Sequence, residues 1–220
     1  MDIKGFQELT LKDWPGKVAS IIFTGGCNLH CFYCHNAELA FCPERIETIE
    51  KKVILKKLEN NKDWIDGVII SGGEPTIHGD KLKSLISELK RKGFKIKLFT
   101  NGTNPVILKE LIQLSLIDAV SIDIKHAPGK YYKVINSKNN EIEQRVLNSI
   151  EIAKESCLEV YFRTTIIKGI HCKEDIETIK KIIFPHYLHL QNVQDKGVLE
   201  EYRFQVQPFT VEEFESFKSL

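Results

Sequence analysis

Three cysteines crowd into eight residues of this 220-residue chain, at Cys27, Cys31 and Cys34. Their spacing, C-x3-C-x2-C, lies in the segment Gly25–Asn36. Thiolates are soft ligands, suited to iron–sulfur clusters or to zinc. A loop of this size can wrap three sulfurs around one face of a cubane, and Gly25 and Gly26 let the backbone turn sharply there. Three cysteines leave one iron of a [4Fe–4S] cluster without a protein ligand, open to a substrate or cofactor. A zinc site completed by His30 or His35 is the competing reading of the same spacing.

Further candidates recur downstream. In Ser71–Pro75, Gly72 and Gly73 admit a ligand close to the backbone, Glu74 offers an anion to an ammonium group, and Pro75 stiffens the exit. An ordinary β–α turn has the same composition. Thr100, Asn101 and Thr103 can hydrogen-bond ribose or carboxylate oxygens, although Asn101-Gly102 is also a common turn pair. In Ser121–Lys125, strand alternation puts Asp123 and Lys125 on one face. The lysine could neutralise a carboxylate and the aspartate could bind ribose or a cation, while an ion pair at a barrel rim is the structural alternative. Arg163 in an apolar run needs an anionic partner, either Asp123 or a cofactor carboxylate. His189 and Gln191 share one face of a later run, as cofactor contacts or as a mutually satisfied polar pair. Cys42, Cys157 and Cys172 are scattered and contain no CxxC pair; they are expected to be buried free thiols.

Six β-branched runs must position these residues: Val18–Phe23, Gly67–Ile70, Lys95–Thr100, Ala119–Ile124, Leu158–Thr165 and Tyr187–Val193. Between them lie stripes at helical spacing. These are Leu82/Leu85/Ile86/Leu89, Ile107/Leu108/Leu111/Ile112, Ile142/Val146/Ile150/Ala153 and Ile176/Ile179/Ile183. A further helix is expected over Thr48–Asn60, with Ile49 and Val53 on one side. Strand–helix alternation implies a parallel sheet with right-handed crossovers. A closed eight-fold barrel usually takes about 250 residues, so an α/β fold of six units, a partial (β/α)6 TIM-like barrel, is expected; a doubly wound sheet is the competing architecture. In such folds chemistry sits at the carboxyl ends of strands, where the candidate residues lie. Residues 1–195, with an N-terminal segment 1–17, are expected to form one domain, followed by a C-terminal extension, 196–220. Ser137–Asn140 reads as a polar break, and Gln191–Gln207 as loop plus a short extended segment. Thr210–Phe217 reads as a short helix with a Thr210/Glu213 capping box.

Apolar residues are 42% and charged residues 28%, which excludes disordered and collagen-like chains. With 31 basic and 30 acidic residues the net charge is +1, so no global field draws the chain to nucleic acid or an anionic membrane. No apolar run approaches the roughly 20 residues that span a bilayer. The start, Met1–Phe6, has no apolar signal region of about 7–15 residues. A cytoplasmic location is expected, where clustered thiolates bind metal more often than they form disulfides.

Cys27-x3-Cys31-x-Tyr33-Cys34 resembles the signature of the radical S-adenosylmethionine superfamily. The resemblance implies one [4Fe–4S] cluster on Cys27, Cys31 and Cys34. The methionine moiety of S-adenosylmethionine would chelate the open iron. Tyr33 would lie near the adenine, and Gly72, Gly73 and Glu74 would lie at the methionine amino group. Thr100, Asn101, Asp123, Lys125, Arg163 and His189 are the remaining cofactor-binding candidates, with a monovalent cation at Asp123 an option. No catalytic residue beyond the cluster and cofactor is implied. Gly5–Lys17, Ile22–Asn28 and Tyr33–Leu39 are similar to the opening of the anaerobic ribonucleoside-triphosphate reductase activating proteins. The likeness runs from residue 3 to about 170 and weakens over Gln191–Leu220. It implies a protein substrate, a glycyl-radical enzyme that loses one glycine hydrogen, and an electron donor such as flavodoxin or ferredoxin. From the charge balance and the lack of a long apolar run, no nucleic acid and no membrane partner is expected. Three other readings stay open: the 7-carboxy-7-deazaguanine synthase type, an activase of another glycyl-radical enzyme, and a non-catalytic zinc- or cluster-binding module. The synthase type usually carries Gln-Gly-Glu-Gly where this chain has Asp13–Gly16.

Overall fold

The six apolar runs all become strands in the computed structural model, which describes residues 1–135 and 140–220. They are β2 (Ala19–Thr24), β3 (Gly67–Gly72), β4 (Lys95–Thr100), β5 (Ala119–Asp123), β6 (Glu159–Ile166) and β7 (Leu188–Asn192). All five neighbouring pairs are parallel, and the order in the sheet is the order in the chain. A doubly wound sheet would reverse its order at a switch point; this one does not. It curls instead, since Gln7 near one edge and Gln191 at the other line the same cavity. The sheet is therefore the expected partial barrel, open between its first and last strands.

The N-terminal segment adds a strand that alternation did not reveal. β1 (Ile3–Thr10) pairs antiparallel with β2, with Phe6 opposite Ile22 and Gln7 opposite Ile21. Only Ile3 and Thr10 of its eight residues are buried. An edge strand held by its backbone ladder needs no apolar face, which is why the pattern is weak.

The helices cover the outer face. α2 (Lys51–Asn60), α3 (Asp80–Arg91), α4 (Pro105–Gln113), α6 (Asn140–Lys154) and α7 (Lys173–Ile183) are the crossovers. Three short helices, α1 (Ala37–Phe41), α5 (Tyr132–Ile135) and α8 (Val211–Lys218), complete the described set. Leu82, Leu85, Ile86 and Leu89 of α3 are buried as one stripe with Val68, Ile70, Ile96 and Leu98 of the sheet. In α2 the buried pair is Ile54 and Leu58, while Val53 is 41% exposed. Ile49 instead forms a backbone bridge to Ile3 before the helix starts, so the stripe begins five residues later than expected. The expected extended piece within Gln191–Gln207 is a 3-10 helix, Glu200–Gln205. The Thr210/Glu213 capping box is present at α8. Residues 137–139 of the polar break lie outside the described residues. The 196–220 segment contributes Val198, Val206 and Phe217 to the main core. No helix among the described residues is long and apolar enough to cross a membrane.

Inner-face residues change character along the strands. At the amino end Trp14, Ala19, Ile21, Ile69 and Ala119 form a separate apolar plug. Lys97 shares their face, in register with Ile69 and Ala119, and is 2% exposed. Its Nζ donates to the Asp13 carbonyl (2.9 Å) and lies 3.6 Å from the centroid of the Tyr161 ring. Burial, then the Arg163 charge, push this ammonium down to about 7. The unfolded chain keeps it protonated to about pH 10.4. Unfolding therefore takes up a proton between about pH 7 and pH 10, and stability should rise across that window. Lys97→Met should melt about 5 °C above the parent at about pH 6, a gain of roughly 1–2 kcal/mol. That advantage should vanish by about pH 10. Thermal melts at the two pH values check this; a gap that does not narrow would show that the charge is not its source.

Candidate functional site: three thiols on a polar cavity

The cysteine loop leaves the carboxyl end of β2 and is tied at once to the loop after β3. Gly73 N–H donates to the Thr24 carbonyl (2.9 Å), and Glu74 N–H to the Gly26 carbonyl (2.8 Å). A Cβ on residue 73 would stand 2.0 Å from that Gly26 oxygen, so the two loops approach as only glycine permits. Cys27, Cys31 and Cys34 line one cavity of about 410 Å³, together with Tyr33, Gly72, Gly73, Thr100, Asn101, Asp123, Lys125 and Arg163. Leu29 N–H donates to Cys27 Sγ (3.4 Å). Burial pushes the thiols up, Cys27 to about 11 and Cys31 to about 12, with Cys34 raised in the same direction. A bound cation reverses that preference, because the metal takes the thiolate form.

Glu74 stands behind this wall. Its carboxylate is fully buried and accepts four hydrogen bonds: Thr76 N–H (3.0 Å), Thr76 Oγ1 (2.6 Å), Thr100 Oγ1 (2.7 Å) and Asn101 N–H (2.6 Å). Burial raises its pKa, and those donors oppose the rise. Asn101 extends the network. Its Oδ1 accepts from Thr103 N–H (3.0 Å) and Thr103 Oγ1 (2.6 Å), and its Nδ2 donates to Asn28 Oδ1 (3.0 Å) and reaches Cys27 Sγ (3.8 Å). Glu74 thus ties the loop after β3 to the end of β4 and does not line the cavity, where the expected amino-group contact would place it, while Gly72, Gly73, Thr100 and Asn101 do.

The opposite wall is ionic. Asp123 accepts from Arg163 Nε (2.7 Å) and from Lys125 Nζ (3.3 Å). Burial alone would raise the Asp123 pKa, but Arg163 and Lys125 outweigh it and hold this carboxyl well below the usual range. Burial likewise opposes the Lys125 charge, and Asp123 overcomes it, so the ammonium is retained. With a cationic side chain on each oxygen, Asp123 is compensated from within the protein, and no cation is assigned there. Arg163 also lies 4.3 Å above the Phe99 ring. His189 is opposite Arg163 in register and shares the inner face with Gln191, but it is exposed and absent from the cavity wall; Gln191 is part of that wall.

Sequence reasoning missed Phe23, Phe99, Gln7 and Lys12, which also line the cavity. The first two occupy inner positions of β2 and β4 and could have been found from strand phase alone. Gln7 and Lys12 come from β1 and the turn after it, so they were hidden with that strand.

The scattered cysteines are not buried as expected. Cys157 and Cys172 are exposed and Cys42 is half-buried. Cys157 sits in the turn between α6 and β6, and Cys172 sits at the start of α7 with its Sγ 3.0 Å from Asp175 Oδ2. Connecting turns run on the surface, which overrides the preference of a thiol for the interior. None of the three lines the cavity.

His30 is exposed, stacks on Phe41 at 4.4 Å and is not on the cavity. Among the described residues no three His, Cys, Asp or Glu side chains converge on a single metal ion. His35 lines the cavity beside the three cysteines, and sulfurs set around one cavity suit a cubane in which each binds a different iron. The Tyr33 hydroxyl is buried without a hydrogen-bond partner among the described residues, at the same wall. The donor set fits a [4Fe–4S] cluster with a polar ligand beside it.

The C-terminal extension touches this loop. Gly197 has φ +82°, and a Cβ there would stand 2.0 Å from the carbonyl oxygen of His35, the residue after Cys34.

A family model described as the radical SAM superfamily matches residues 21–182. A Methanocaldococcus jannaschii protein named as a glycyl-radical enzyme activating enzyme is 34% identical over 204 residues, 90% of this chain and 82% of that one. The pyruvate formate-lyase-activating enzyme of Clostridium pasteurianum is 28% identical over 186 residues, 82% of this chain and 75% of that one. Among solved structures, Streptococcus suis SuiB bound to S-adenosylmethionine matches with a TM-score of 0.67 at 16% identity, over 90% of this chain and 47% of that chain. That last likeness concerns the fold. Radical SAM proteins use a [4Fe–4S] cluster and S-adenosylmethionine, the pair that the donor set fits. On the family match and the 34% identical relative, the chain belongs to the radical SAM superfamily and groups there with the glycyl-radical enzyme activating enzymes.

Proposed function

We propose that this protein generates a glycyl radical on a partner enzyme, and that the partner is the anaerobic ribonucleoside-triphosphate reductase. The observation that carries the reading is the position of the thiol-lined cavity in an unclosed barrel. Its wall reaches Gln7 and Gln191, on the two strands that end the sheet. An extended glycine-containing segment could enter there without unfolding either protein. The resemblance of Gly5–Lys17 to the reductase activators supports the choice of partner.

In this reading Cys27, Cys31 and Cys34 hold the cluster. The bound cluster and S-adenosylmethionine supply an electron that cleaves the sulfonium and a carbon radical that accepts one hydrogen. The electron comes from a low-potential donor such as flavodoxin or ferredoxin. Gly72 and Gly73 let the methionine approach the backbone, and Tyr33 supplies a hydroxyl beside the adenine. Thr100 and Asn101 present polar groups to the ribose. Lys125 meets the methionine carboxylate, with Asp123 and Arg163 fixing the direction of its ammonium.

Anaerobic reconstitution followed by incubation with candidate glycyl-radical enzymes tests this. A glycyl doublet by electron paramagnetic resonance on the reductase, and not on a formate lyase, is the expected result. A doublet only on another lyase would overturn the choice of partner. S-adenosylmethionine cleavage with no protein radical on any candidate would overturn the activase reading.

A further inference from the structure

Lys125 is held by its main chain as well as by its ion pair. Its N–H donates to Tyr131 Oη (3.2 Å), and its carbonyl lies 3.1 Å from His171 Nε2. Neighbouring groups fix the tautomer of that imidazole. Ile167 N–H donates to His171 Nδ1 (3.1 Å), so Nδ1 is the unprotonated acceptor and Nε2 carries the proton given to Lys125. His126 repeats the arrangement: Ala127 N–H donates to its Nδ1 (2.8 Å), and its Nε2 faces the Ile170 carbonyl (3.4 Å). The two rings stack at 4.4 Å and 20°. His126 is fully buried and His171 is 5% exposed. Burial, then the facing ring, hold His126 down at about 4, and burial lowers His171, so both stay neutral near pH 7.

None of these three side chains lines the cavity. They join two loops that follow adjacent strands, 124–131 after β5 and 167–172 after β6. The second loop is anchored in turn by Asp175 at the start of α7. Asp175 accepts from Cys172 N–H (3.0 Å) and pairs with Lys130 (2.5 Å) across the same junction. Both polar main-chain groups of one active-site residue are thus met by side chains, and one of those side chains has its own tautomer dictated.

We propose that His171, backed by His126 and assisted by Tyr131, is a positioning residue that sets the height of the Lys125 ammonium at the cofactor carboxylate by pinning the Lys125 main chain. The proposal rests on the reading of Lys125 given above. If His171 acts through Lys125, its removal matters only while that lysine is present, which makes the two substitutions non-additive.

The test is calorimetric binding of S-adenosylmethionine to the cluster-loaded protein, with iron content and melting temperature measured on each variant. His171→Ala should weaken binding about fivefold, the loss of roughly one hydrogen bond, at unchanged iron content. His171→Gln, which can accept from Ile167 and donate to Lys125, should return to within about twofold of the parent. Tyr131→Phe removes only the acceptor for Lys125 N–H and should weaken binding by about two- to fivefold, so the proposal remains testable if His171→Ala does not fold. Lys125→Met should weaken binding more than any of these, and adding His171→Ala to it should cost little more. Full additivity, or unchanged affinity in both His171→Ala and Tyr131→Phe while Lys125→Met loses it, would overturn the positioning role and leave the lysine reading standing. Unchanged affinity in Lys125→Met would overturn the lysine reading itself, and the positioning role with it.

Discussion

Alanine at Glu74 is expected to lower the melting temperature by about 10 °C, a loss of roughly 3–5 kcal/mol. The carboxylate is completely buried and is the acceptor for four donors from Thr76, Thr100 and Asn101. The hydroxyls of Thr76 and Thr100 can rotate toward other acceptors, but the N–H groups of Thr76 and Asn101 are fixed by the backbone. Leaving such donors unpaired in the interior costs about 1–3 kcal/mol each. Glu74→Gln retains one carbonyl oxygen and turns an NH2 toward donors, so it should rescue only partly. Because Asn101 reaches Cys27 and Thr100 faces the cavity, weaker S-adenosylmethionine binding should accompany the loss of stability. A carboxylate that serves only the ligand predicts otherwise: affinity would fall at an unchanged melting temperature. Thermal melts of the iron-free protein distinguish the two, and a shift below about 2 °C would refute the structural role.

Alanine at Cys27, Cys31 or Cys34 should each abolish retention of the roughly four irons of a cubane and, with them, all S-adenosylmethionine cleavage. The triple replacement of Cys42, Cys157 and Cys172 should leave both intact, since none of those sulfurs faces the cavity. Protons report the same chemistry. Burial raises Cys27 to about 11 and Cys31 to about 12, and raises Cys34, so all three are thiols near pH 7 in the iron-free protein. Ligation needs thiolates, so loading should tighten as pH rises. Iron content after loading at about pH 6 and about pH 9 checks this. Loading that is independent of pH, or iron retained in Cys31→Ala, would remove these sulfurs as the ligands.

Much of the architecture was legible because a parallel strand covered on both faces leaves a continuous apolar run, and helical crossovers leave clear stripes. The fate of β1 was not, because an edge strand of charged and polar residues such as Lys4, Gln7 and Glu8 satisfies its backbone without an apolar face. The three clustered cysteines could be read from spacing, since a short loop brings them to one cavity whatever surrounds it. Glu74 could be located but not oriented: the motif gives its place after β3, and of the donors that hold it inward Thr76 is local while Thr100 and Asn101 are brought by the folded β4. Asp123, Lys125 and Arg163 follow from strand phase, whereas the exposure of His189 depends on where the sheet ends. Lys97 carries no motif at all; its significance comes from the aromatic rings of Phe99, its neighbour on the same face of β4, and of Trp14 and Tyr161, which the chain draws from two distant segments.

The contact between Gly197 and the His35 carbonyl has a consequence for biosynthesis. The ribosome makes the cysteine loop first, and the turn that packs against its end emerges 162 residues later (197 − 35). At about 5–20 residues per second, roughly 8–30 s of elongation separates the two. Through that interval the nascent chain presents its three sulfurs on a loop without the Asp195–Val198 turn. Iron delivered then meets a loop that is not yet braced, and iron delivered after release meets one whose His35 carbonyl already lies against Gly197.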